Sequence, residues 1–134
     1  FIRQARRTRK ILGGAMRQAG VLAAVGHCAF EHHVRRMADD HALLRQLADG
    51  LQAAQRTQAA LQGRLLVHPA QTNILFTDIA PDIAPAFAEA LARGGVRVTS
   101  SLYGGQTRLR WVTHLDVGPA DVRAALDCVQ AFAG

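Results

Sequence analysis

The sequence is poor in lysine, cysteine and aromatic residues, and each shortage narrows what the chain can do. Lys10 is the only lysine among 134 residues, so a chemistry built on several amines has no material. Aromatic residues make up 5% of the chain, too few for a surface that stacks nucleic-acid bases. The two cysteines, Cys28 and Cys128, have no metal-ligand spacing; their apolar helical surroundings predict buried, reduced thiols and a cytoplasmic setting. Among the histidines, His32 and His33 are adjacent and diverge on a helix, and no His-x3-His pair with a carboxylate occurs, so no metal site is expected. His41 and His114 read as hydrogen-bonded structural histidines. Gly-x-Ser-x-Gly and Walker patterns are missing as well. The longest apolar stretch, Val21 to Phe30, is broken by Gly26 and His27 and falls far short of the ~20 residues of a membrane span. The N-terminus lacks a signal-peptide pattern, and its start at Phe1 instead of Met leads to the expectation of a fragment of a longer enzyme.

What is present is an uneven charge. The formal net charge is +6, yet Arg3, Arg6, Arg7, Arg9, Lys10 and Arg17 meet no acid through residue 17, and the remaining 10 cations are matched by 10 anions. The whole excess belongs to the opening segment, which points to a local anionic partner. Within it, Arg9 to Gly20 joins two flanking cations to the Gly13-Gly14 turn and a helix start, the arrangement that holds a phosphate.

Along the chain, residues 2 to 11 predict a short arginine-rich helix ending before Gly13. Ala19 to Phe30 predicts a helix apolar on nearly every side and therefore buried between layers. A third helix is expected from Glu31 to about Gln55, with Val34, Met37, Leu44, Leu47 and Leu51 recurring at spacings of three, four and seven. Arg64 to His68 reads as a short strand, Thr72 to Ile79 as a buried one, and Ile83, Phe87, Ala90 and Leu91 as a helix face closed by Gly94-Gly95. Val96 to Ser100 and Thr107 to His114 alternate and are expected to pair as a hairpin through Gly104-Gly105. Pro119 or Ala120 opens a last helix with Val122, Leu126, Val129 and Phe132 inward. The sum is an α/β chain: a helical N-terminal part followed by a βαββα unit, a mainly antiparallel sheet with helices on one face.

Four cations stand out as candidate ligands. Lys10, beside the glycine turn, is read as an anion donor or a solvated charge and not as a Schiff-base nucleophile, because its neighbours are cations and not a desolvated pocket. Arg17, at the start of an apolar helix, either binds a phosphate with the helix N–H groups or faces water. Arg108 and Arg110 share one parity of their strand, opposite Leu109 and Trp111. They either clamp a carboxylate bidentately or display charge at a sheet edge.

Three blocks carry a family resemblance: Ala5-Arg6-Arg7-Thr8-Arg9-Lys10-Ile11-Leu12-Gly13-Gly14-Ala15-Met16-Arg17-Gln18-Ala19-Gly20; Asp40-His41 with Leu47-Ala48, Leu51 and Thr72-Asn73-Ile74-Leu75-Phe76; and Arg110-Trp111-Val112-Thr113-His114-Leu115-Asp116-Val117. In this order they resemble the C-terminal part of the low-specificity L-threonine aldolases, pyridoxal-phosphate enzymes of the aspartate aminotransferase fold type I. The resemblance implies that residues 1–33 are a remnant of the large cofactor-binding domain, and 34–134 the linking helix and the α+β small domain. It implies Lys10 and Arg17 near the cofactor, with Arg17 reaching its phosphate across a subunit interface, Arg110 on the substrate α-carboxylate, and retro-aldol cleavage of threonine or allo-threonine to glycine and acetaldehyde. It further implies a cytoplasmic homo-oligomer, dimer or tetramer, acting on a small amino acid with neither nucleic acid nor membrane as partner. Ala15 departs from the family's third glycine and Thr8 from a frequent aromatic. The family's Schiff-base lysine, pyridine-pairing aspartate and ring-stacking histidine have no counterpart here, so no catalytic residue is expected in this segment and it should be inactive alone. The alternatives from the residues are a small basic nucleic-acid-binding module and an oligomerisation module.

Overall fold

The computed structural model describes residues 1–134, which fall into two compact units, Phe1–Arg36 and Met37–Gly134. The first holds helices α1 (Ile2–Ile11) and α2 (Ala19–His32). Neither has a buried residue. This corrects the expectation for α2: Val21, Leu22, Val25 and Phe30 all stand exposed, because two helices in so short a unit cannot enclose an apolar surface. Cys28 is exposed with them, and only Cys128 is half-buried, so the expectation of two buried thiols fails for the first.

The second unit contains α3 (Met37–Thr57), β1 (Leu65–Val67), β2 (Ile74–Ile79), α4 (Ala84–Arg93), β3 (Thr99–Tyr103), β4 (Gln106–Val112) and α5 (Pro119–Gln130). The long helix expected from Glu31 does not run through: α2 ends at His32, and α3 begins afresh at Met37 with Asp39 and Asp40 in its first turn. Carboxylates there complement the positive end of the helix, which favours a start at this point. No helix of the chain is long and apolar enough to cross a membrane.

The four strands lie in the order β1-β2-β4-β3, and every neighbouring pair is antiparallel. The hairpin differs from its expected register. Gly104 and Gly105 both have positive φ, 58° and 79°, as a two-residue type I′ turn requires. That turn sets Tyr103 opposite Gln106, so pairing runs from Thr99 to Tyr103 and not from Val96 to Ser100. Val96 and Val98 instead pack against the core from the loop.

One core gathers the inward residues of the sheet and of α3, α4 and α5, so the helices cover a single face. Leu75 pairs with Trp111 and Thr77 with Leu109 on that face. Phe87 and Phe132 meet edge to face, with ring centroids 5.1 Å apart. The buried Trp111 indole N–H donates to Thr77 Oγ1 at 3.0 Å, which satisfies its only polar atom. Thr113, just beyond β4, ties distant segments together. Its hydroxyl donates to the Asp40 carbonyl at 2.7 Å, its N–H donates to the Asn73 carbonyl at 3.1 Å, and its own carbonyl accepts from Asn73 Nδ2 at 2.8 Å. Segments of the second and third sequence blocks are thus directly bonded.

Candidate functional site

The outer face of the sheet, turned away from the helices, carries the charged side chains of β2 and β4. The register sets Asp78 opposite Arg108 and Phe76 opposite Arg110, with Ser101 and Thr99 of β3 on the far side of the two arginines. Strand alternation therefore delivers Arg108 and Arg110 to one surface, as their parity predicts, and sends Leu109 and Trp111 into the core.

The two arginines differ in what they touch. Arg108 donates from Nε to Asp78 Oδ1 at 2.6 Å and from Nη2 to Oδ2 at 2.8 Å. Its guanidinium also stacks on the Tyr103 ring, 3.9 Å from the centroid, and lies 5.8 Å from that of Phe76. His68, held beside β2 by its N–H to the Phe76 carbonyl, places Nε2 2.7 Å from Asp78 Oδ2. The hydrogen bonds from Arg108, with a smaller contribution from His68, lower the Asp78 pKa to about 2 against the opposing effect of burial. Asp78 in turn raises the pKa of Arg108. Arg108 is therefore a neutralised structural cation. Arg110 is exposed and makes no ion pair or hydrogen bond, with the apolar side chains of Ile74, Phe76 and Val112 on the same face. It is the open guanidinium of this surface.

In the first unit, Lys10 occupies the last turn of α1. Gly13, at φ 80°, reverses the chain after it, and the Gly14 N–H closes the turn on the Arg9 carbonyl at 2.8 Å. Arg17 follows the turn, two residues before α2. The Gln18 N-cap supplies no side-chain hydrogen bond, so the start of α2 retains free N–H donors. Both cations are exposed and unpaired. They sit in this unit, Arg110 in the other.

No three His, Cys, Asp or Glu side chains converge. His114 is exposed and accepts the Asp116 N–H on Nδ1 at 3.2 Å, a local turn contact, whereas His41 is half-buried and makes no hydrogen bond. A cleft of about 370 Å³ lies between the Gly94 to Val98 loop, the end of β4 and the start of α5, apart from Arg108 and Arg110. Asp78 and His68 were not anticipated from the sequence. The one available signal was the acid in the alternating run Thr72 to Ile79, on the parity opposite the buried Leu75, Thr77 and Ile79.

The sequence profile of the beta-eliminating lyase family matches residues 1–81. A probable low-specificity L-threonine aldolase 2 of Arabidopsis thaliana is 36% identical over 132 residues, 97% of this chain and 35% of the relative. Low-specificity L-threonine aldolase 1 of the same plant is 31% identical over 133 residues, 97% of the chain and 35% of that protein. The low specificity L-threonine aldolase of Escherichia coli O157:H7 is 34% identical over 117 residues, 87% of the chain and 31% of that protein. The chain thus spans about a third of the length of the relatives it matches. With the family profile covering more than half of its residues, and this likeness running through both units, the chain belongs to the beta-eliminating lyase family.

Proposed function

We propose that this chain forms the C-terminal part of a pyridoxal-phosphate lyase of fold type I that cleaves L-threonine or L-allo-threonine to glycine and acetaldehyde. Residues 1–33 would belong to the cofactor-binding domain, and 34–134 would form the linking helix and small domain of a cytoplasmic homo-oligomer. The observation that carries the reading is the open guanidinium of Arg110 on a rigid central strand, within a segment aligned to threonine aldolases.

Arg110 has the geometry to bind the substrate carboxylate. Two parallel N–H donors fit two carboxylate oxygens, and with Arg108 already neutralised by Asp78, a single positive centre fixes the orientation of the amino acid. Phe76, Ile74 and Val112 border that centre with apolar surface, which strengthens the pair by limiting water. Lys10 and Arg17 fit the phosphate end of the cofactor: both are uncommitted cations, and Arg17 stands beside free helix N–H groups. When bound, the cofactor supplies an electron sink for the bond cleavage. Lys10 is not assigned the covalent role, since it is exposed among Arg6, Arg7 and Arg9 and lacks the desolvation that activates an amine. The segment alone is accordingly inactive.

The test is a graft. Replacing the matching third of the Arabidopsis aldolase with this chain should preserve glycine release from L-threonine, and Arg110→Ala in the graft should abolish it while cofactor absorbance is kept. A folded, cofactor-loaded graft that cleaves equally well with Arg110→Ala would overturn the assignment.

A further inference from the structure

We propose that the cleft between the Gly94 to Val98 loop, the end of β4 and the start of α5 binds a free α-amino acid with an apolar side chain. The cleft holds about 370 Å³. That is the small end of the roughly 300–1,000 Å³ of ligand sites, so it suits a single amino acid and not a nucleotide-sized molecule. Its loop wall is fixed in place. Gly94 packs on the Cys128 thiol with no room for a Cβ, and the Val96 N–H donates to the Leu91 carbonyl at 2.9 Å. Trp111 and Val122 form a buried floor, and Val96, Val98 and Val117 line the cleft half-buried. An apolar side chain settling there leaves water for apolar surface.

Charge is divided across the mouth. The loop wall carries Arg97, and the facing wall carries Asp116 and Asp121. All three are exposed, and Arg97 forms neither an ion pair nor a hydrogen bond, so the walls stand too far apart for it to meet either acid directly. Asp121 Oδ2 accepts the Gly118 N–H at 2.8 Å, which leaves Oδ1 open, and the Asp116 carboxylate has only His114 Nδ1 beside it, at 3.6 Å. A cation facing two acids over an apolar floor matches the two charges of a zwitterion. The guanidinium takes the carboxylate bidentately, the acids take the ammonium, and the side chain lies against the valines. Neither a fatty acid nor a simple amine satisfies both walls.

This site is separate from the carboxylate site at Arg110. Alternation along β4 sends Trp111 to the cleft side of the sheet and Arg110 to the outer face, so an amino acid in the cleft is a second ligand and not the molecule held at Arg110. The inference does not rest on the Arg110 assignment. Because both sites are built on β4, an occupant of the cleft touches the strand that carries that arginine.

The experiment is a Trp111 fluorescence titration of the full chain with L-leucine, paired with amide chemical shifts. Trp111 is the only tryptophan and lines the cleft, so its emission should change saturably, with shift changes confined to Gly94 to Val98 and to the His114 to Ala125 side. N-acetyl-L-leucine lacks the ammonium, isoamylamine the carboxylate and glycine the apolar side chain, and each should bind at least about tenfold more weakly. Arg97→Ala, and Asp116→Asn combined with Asp121→Asn, should weaken leucine binding to the same degree; asparagine keeps an acceptor for the Gly118 N–H. Arg110→Ala should leave leucine binding as it was. No saturable response to L-leucine overturns the proposal, as do analogues that bind as tightly as leucine. So does loss of binding in Arg110→Ala, which would move the amino acid to the outer face. The analogue series on the unsubstituted chain decides the matter even if a variant fails to fold.

Discussion

Asp78 grips Arg108 with both carboxylate oxygens, at 2.6 and 2.8 Å, across the β2–β4 pair, while Arg110 two positions along the same strand is left without a partner. One acid thereby sorts two arginines that alternation alone makes equivalent.

The sorting is measurable as stability. Arg108→Ala removes a bidentate, charge-assisted pair and leaves a half-buried carboxylate, with an expected loss of roughly 1.5–3 kcal/mol. Arg110→Ala touches an exposed side chain without partners and should stay within about 0.5 kcal/mol. Urea unfolding of the two variants tests the contrast; equal losses would show that Arg110 carries structural weight.

Asp78 also sets an acid limit. Its folded pKa of about 2 lies below the ordinary 3.8, so the unfolded chain binds more protons in that interval and stability falls as pH drops. The contribution is complete above the ordinary value and is lost as pH falls through about 2. In Asp78→Asn that part of the slope should vanish. Subtracting the unfolding curves of variant and parent between these pH values isolates it from the other carboxylates; a pH-independent difference would contradict the assignment.

Thr77→Val keeps the shape of the core but deprives the Trp111 indole N–H of its acceptor. A buried donor left alone costs about 1–3 kcal/mol. Because Trp111 is the only tryptophan, its fluorescence reports both the buried environment and the unfolding transition without labelling. A variant as stable as the parent would show that another acceptor takes over.

Gly105→Ala places a side chain at φ 79° in the hairpin turn. Left-handed backbone costs an ordinary residue about 1–2 kcal/mol, and the loss should appear in thermal unfolding with the sheet otherwise retained. No loss would mean the turn relaxes to another type.

Much of this surface was legible in the sequence, and the failures have physical causes. Period two placed Leu109 and Trp111 inside and Arg108 and Arg110 outside, because parity along a strand survives any error in its ends. It could not choose between the arginines, since Asp78 lies thirty positions from Arg108 and meets it only through the β2–β4 register. The hairpin was displaced because alternation in Val96 to Ser100 reflects packing of Val96 and Val98 on the core and not pairing. Burial was misjudged for α2 because apolarity on every side states what a helix would lose to water, and says nothing of whether a neighbour exists. Lys10, Gly13 and Arg17 were recognisable as a motif since they are contiguous and need no tertiary contact to stand together.

The bond from Thr113 to the Asp40 carbonyl joins residues 73 positions apart. During synthesis, the first turn of α3 emerges long before the residue that fastens it. Until Thr113 leaves the ribosome that bond cannot form, and until α5 follows it the apolar stripe of α3, which also packs on β1 and β2, lacks its helical partner. The second unit is therefore completed from its far end, and a ribosome stalled between Asp40 and Thr113 would present the nascent helix to chaperones instead of to its own core.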